Sequence, residues 1–112
     1  VRTSANVSDD CDWGTDSAAT EIPWYRIRRG PEGVADFFST LAREVEFRKF
    51  EPTIFAGAGD AVIVNVDMDD HFRKNGRGAA VTSLHRFQIR DGVVTSFRAF
   101  EDTAAVQAAW RE

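Results

Sequence analysis

Cysteine is almost missing. Cys11 is the only one in 112 residues, so no disulfide can close within the chain, and this usage fits a reducing compartment such as the cytoplasm. Long apolar runs are missing too: no stretch approaches the about 20 residues a membrane helix needs, and the N-terminus carries no apolar signal region. The chain reads as soluble and cytoplasmic. Positive charge is in deficit, with 14 basic against 18 acidic residues and a net charge of -4. A phosphate backbone is held by a clustered positive surface, so nucleic acid is excluded as an expected partner. The one basic run, "RIRR" from Arg26 to Arg29, reads as a solvated strand or loop. No P-loop, G-x-G-x-x-G or H-E-x-x-H is present, and no cofactor is expected.

What is there suits one globular domain spanning 1–112. Hydrophobic residues make up 43% and charged residues 29%, and a chain of this length buries roughly two-thirds of its unfolded surface. Residues 1–10 are polar without a lasting period, "CDWGTD" reads as a short strand, and "SAATEIPWY" as an irregular loop. "GPEGVADFFSTLAREV" predicts a helix. Pro31 suits the first helical position, Glu32 favours the positive dipole end, and Val34, Phe37, Phe38, Leu41, Ala42 and Val45 form one apolar stripe.

Beyond the helix the period becomes two. "FRKFEPTIFAG" predicts a strand interrupted near Pro52, and "DAVIVNVDMDD" a strand with Val62, Val64, Val66 and Met68 on one face. "KNGRG" turns the chain into "AAVTSLHRFQI", whose inner face reads Val81, Ser83, His85, Phe87, Ile89. Asp91-Gly92 marks a type I′ hairpin leading into "VVTSFRAFED", and Asp102 or Thr103 can cap a terminal helix with Val106, Ala109 and Trp110 on its apolar side. The expected fold class is α+β, a helix packed on an antiparallel meander. Setting Val66 opposite His85 gathers the apolar residues on one side.

His85 is thereby placed among valines and phenylalanines. An imidazole there is either bonded to a backbone carbonyl or hydroxyl within the core, or sits at the bottom of a pocket as a hydrogen-bonding group or general base. "DMDDHF" suggests a metal, but alternation puts Asp67, Asp69 and His71 on the outer face, and a solvated strand end accounts for them better. Met68, Phe55 and Phe97 read as core that also lines a pocket, with Trp13, Trp24 and Tyr25 as its rim.

"RRGPEGVADFF", "LHRFQIRDGVV" and "FRAFEDTAA" resemble the SnoaL-like branch of the ketosteroid isomerase and nuclear-transport-factor-2-like superfamily, over about Asp9 to Trp110. The resemblance implies a curved antiparallel sheet wrapped around helices into a cone with an apolar pocket, often dimeric through the outer sheet face. It implies an activity among polyketide cyclases, steroid isomerases, epoxide hydrolases and dehydratases, or non-catalytic binding. His85 falls at the cyclases' pocket histidine, while their acid/base aspartate falls on Ala99, which moves no proton. The isomerase base falls near Thr15 or Asp16, and Glu101 shares the face of Ala99. The family's first helix is expected to be missing. Two functions stay open. One is an isomerase or cyclase acting on a polycyclic or terpenoid-like ligand through His85, Asp16 and Glu101, with Val64, Val66 and Ala99 in the pocket wall. The other is a binding or dimerising module without chemistry.

Overall fold

The computed structural model describes residues 6–112. Its elements run β1 (Val7–Gly14), β2 (Arg28–Arg29), α1 (Gly30–Glu44), β3 (Val45–Ala58), β4 (Ala61–Phe72), β5 (Gly78–Arg90), β6 (Val93–Phe100) and α2 (Thr103–Arg111). The strands form one six-stranded sheet in the order β2-β1-β6-β5-β4-β3. Neighbours are antiparallel except β1 and β6, which run parallel. This is the α+β, curved-sheet fold that the resemblance implies, with both helices and the 15–27 loop on the inner face. The strand β1 begins at Val7, inside the stretch read as polar without a lasting period. Residues 1–5 of that stretch lie outside the described ones.

Alternation decides which side chains reach the core. On β4, Val64, Val66, Met68, Asp70 and Phe72 are buried, while Ile63 is exposed. The register between β4 and β5 differs from the expected one: His85 pairs with Val64 and Ser83 with Val66, a shift of two residues. The reason lies in the turn. The Phe72 N–H donates to the Arg77 carbonyl at 2.8 Å, closing a four-residue loop with Gly76 at φ 72. A slip of two keeps every side chain on its face, so His85 still points inward.

Two further readings need correction. The β3 strand is not interrupted at Pro52; it runs through, with a bulge between Pro52 and Ile54. Proline's missing N–H is tolerated because β3 is the outermost strand. The basic run is not uniformly solvated either. Arg28 is buried, donating to Asp36 at 2.6 Å, to the Pro23 carbonyl at 3.0 Å and to the Arg26 carbonyl at 3.2 Å. It ties the loop to α1.

Helix α1 buries Val34 and Phe37, but Ala42 is exposed and Phe38 is half out, while Val45 already opens β3. Asp102 caps α2 by accepting from the Ala105 N–H at 3.0 Å. At the other end Asn75, in the β4–β5 turn, donates to the Ala109 and Trp110 carbonyls at 3.0 and 3.2 Å. The terminal helix is thus fastened across the open side of the sheet.

Candidate functional site

The inner face is not completely filled. A cavity of about 290 Å³ lies between α1, the loop after β1 and strands β3 to β6. Its walls are aromatic. Trp13 stacks on Phe97 at 4.5 Å between ring centroids and meets Phe37 and Phe38 edge-on at 6.0 and 5.9 Å. Phe38, Phe47 and Phe50, each 37–52% exposed, mark its opening. Trp13, Trp24 and Tyr25 are buried, so they form the interior wall rather than the expected rim.

His85 lines this cavity from β5, flanked by Val64 and Ala99 on the adjoining strands. Its ring sits edge-on to Phe97 at 5.1 Å. Burial pushes its pKa down to about 4, so the imidazole is neutral near pH 7 and keeps a free lone pair.

The polar end is built from segments far apart in sequence. The Tyr25 hydroxyl donates to Glu101 Oε2 at 2.8 Å, and the Ser83 hydroxyl to Glu101 Oε1 at 2.9 Å. Burial and the adjacent Glu101 charge push the Tyr25 pKa upward, keeping the phenol protonated. Beside them Asp70, only 2% exposed, also lines the cavity. Its Oδ1 is sealed from solvent and has no hydrogen-bond partner among the described residues. Burial first, then the charges of Glu101 and Asp69, push its pKa up to about 7.

Of the residues proposed from sequence, the cavity brings together His85, Glu101, Trp13, Trp24, Tyr25, Met68, Phe87, Phe97 and Ala99. It leaves out four. Val64 and Val66 are inner-face core behind the lining. Phe55 pairs with Val64 but is 67% exposed, because β3 runs past the cover of α1. Asp16 points away, its carboxylate 3.4 Å from Arg98, which also holds Asp12 at 2.8 Å. Its neighbour Thr15 faces the cavity instead. Asp70 is the buried, cavity-lining acid that the sequence pattern did not single out. Counting by twos from Met68 reaches it, whereas Asp69 and His71 face outward, 3.2 Å apart. "DMDDHF" is therefore divided between two faces.

Residues 2–97 match the SnoaL-like domain family. An NTF2-like protein from Burkholderia xenovorans LB400 is similar in structure at a TM-score of 0.85 and 25% identity, covering 94% of this chain and 78% of that one. TerC, co-crystallised with polyporic acid, has a TM-score of 0.81 and 20% identity over 96% of this chain and 82% of its own. A protein with a ketosteroid isomerase-like fold from Catenulispora acidiphila DSM 44928, in complex with trimethylamine, has a TM-score of 0.77 and 16% identity, covering 95% and 77%. No curated protein matches the chain. Among the described residues no helix is long and apolar enough to cross a membrane.

Proposed function

The chain belongs to the SnoaL-like domain family, and from that premise we propose that its cavity binds an apolar, polycyclic or terpenoid-like small molecule and that His85 moves a proton on it, as an isomerase or cyclase would. The observation that carries this reading is a neutral imidazole exposed to an aromatic cavity of about 290 Å³. A base there keeps its lone pair at neutral pH, and among the described residues no side chain or backbone group hydrogen-bonds to it. The relatives that hold polyporic acid and trimethylamine lend support, since proteins of this fold do take small organic molecules. Ala99 weighs toward the second reading, a binding domain without chemistry, because it removes the acid next to His85 across the β5–β6 ladder. The reading includes a cytoplasmic location, in keeping with a single buried thiol.

Proton exchange separates the two versions. In D₂O the α-protons of 1-tetralone, a bicyclic ketone, wash out slowly, and a positioned base accelerates such transfers by about 10²–10⁴-fold. The protein is expected to accelerate the exchange followed by proton NMR, His85→Gln to return it to the buffer rate, and Ala99→Phe to block it by filling the cavity. No acceleration by the protein itself would leave only the binding reading. Undiminished exchange in His85→Gln would remove the histidine from the chemistry.

The outer sheet face supports a homodimer as part of this proposal. Leu84 and Phe100 pair across β5 and β6 and are 43% and 46% exposed, and Ile63 on β4 is 39% exposed. Exposed apolar side chains clustered on one sheet face mark an interaction surface. Sedimentation equilibrium is expected to give a dimer that Leu84→Glu converts to a monomer. A monomeric parent protein at high concentration would sink the dimer.

A further inference from the structure

The cavity's polar end is unusual in its charge. Two carboxyl groups, Asp70 on β4 and Glu101 just after β6, line the same cavity, close enough that the Glu101 charge acts on Asp70. Glu101 takes its hydrogen bonds from two neutral hydroxyls. Asp70 Oδ1 takes none from any described residue, although the side chain is 98% buried by its 2% exposure. Among the described residues no lysine or arginine lines the cavity. His85, the one basic side chain there among those residues, is held neutral by burial. Among the described residues, the ladder partners of Asp70 are uncharged, Phe47 on β3 and Ala79 on β5, and Tyr25 beside it from the loop is a neutral phenol. Asp69 faces outward and adds a further negative charge.

An apolar cavity with paired acids and no protein cation lacks a counter-charge. Its lining also carries the rings of Trp24 and Tyr25, and aromatic faces attract cations, the more strongly when water is excluded. We propose that this end of the cavity, where Asp70 and Glu101 converge beside Trp24 and Tyr25, is a binding site for an organic cation: a protonated amine carried on an apolar body. The amine N–H donates to the Asp70 carboxylate where that residue lines the cavity, while the positive charge offsets the carboxylate pair and the apolar body occupies the Trp13–Phe97 wall. An anionic ligand is repelled by the same pair. A neutral ligand leaves the repulsion between the two carboxyl groups in place. This inference rests on the reading of the cavity as a ligand site, and not on the proton transfer assigned to His85.

Three probes of one shape test it: 1-adamantylmethylamine, 1-adamantanemethanol and 1-adamantanecarboxylate, titrated into the protein by calorimetry. At about pH 8.5 the amine is expected to bind at least about tenfold tighter than the alcohol, a difference of about 1.4 kcal/mol, and the carboxylate weakest of the three. As pH falls through about 7, Asp70 takes up a proton and the amine's advantage shrinks, whereas a ligand that accepts a hydrogen bond from protonated Asp70 would gain affinity in the same range. Asp70→Asn is expected to reduce the advantage to under about threefold while leaving alcohol binding in place. Glu101→Gln is a second variant with the same expectation, both being checked for native circular dichroism. Alcohol binding as tight as the amine's, or an amine advantage that survives both substitutions, overturns the cation site and leaves the cavity reading standing. Failure of all three probes to bind overturns both.

Discussion

Replacing Asp70 with asparagine is expected to convert a nearly flat pH–stability profile into one that climbs by on the order of 3 kcal/mol between about pH 4 and 6.5. The flatness comes from two buried groups that pull in opposite directions. His85 titrates near pH 4 when folded, below its ordinary 6.5. Between those values the unfolded chain holds the extra proton, so stability rises with pH. Asp70 titrates near pH 7 when folded, above its ordinary 3.8. There the folded chain holds the extra proton, so the contribution is fully present below about 3.8 and is lost as pH rises through about 7. At about 1.4 kcal/mol per unit, the two slopes amount to roughly 3 and 4 kcal/mol and nearly cancel. His85→Gln should therefore expose the opposite slope, a fall of on the order of 4 kcal/mol from about pH 4 to 7. Asp12 and Asp36 do not disturb the window: for Asp12 burial pushes the pKa up but is outweighed by hydrogen bonds from Ser96 and Arg98 and by the Arg98 and Arg29 charges, and for Asp36 the hydrogen bond from Arg28 dominates, so both lie below the ordinary 3.8. Urea unfolding at a series of pH values checks this. Parallel curves for the parent protein and Asp70→Asn would show that Asp70 is not the buried acid assigned here.

The same two residues show how far a sequence can be read. His85 is legible because alternation on β5 places it between Ser83 and Phe87 whatever the register, and a two-residue error at the β4–β5 turn leaves that parity untouched. Asp91-Gly92 is legible for a local reason as well: both residues adopt the positive φ, 53 and 77, that a type I′ turn demands. Asp70 shares the parity of Met68, yet an acidic strand end reads as solvated. What buries it is Tyr25 and Glu101 arriving from 45 and 31 positions away in the sequence, which no local pattern contains. Phe55 fails in the reverse sense. Its parity is inward, but the sheet extends beyond the helix that would cover it. Asp16 depends on Arg98, a partner 82 residues distant. Periodicity determines a side chain's face. Cover and ion pairing are tertiary facts, and the composition of the site follows from them.

Trp13→Ala is expected to cost about 3–5 kcal/mol, a large part of the roughly 5–15 kcal/mol by which a domain of this size is stable. Trp13 stands in register with Phe97 on the parallel neighbour strand and stacks on it at 4.5 Å. Its edges reach Phe37 on α1 and Phe87 on β5, at 6.0 and 6.2 Å. One ring therefore joins the helix to three strands, and removing it merges a new void with the existing cavity. Phe55→Ala provides the contrast. That ring is 67% exposed, so its loss should stay within about 0.5 kcal/mol. Trp13→Phe distinguishes packing from polarity. The indole Nε1 has no partner among the described residues, so phenylalanine forfeits contact area but no hydrogen bond, and the loss should be under half that of alanine. Denaturant midpoints for the three variants decide the matter. If phenylalanine proves as damaging as alanine, Trp13 contributes through its N–H, and an aromatic wall held by ring contacts alone would no longer account for the site.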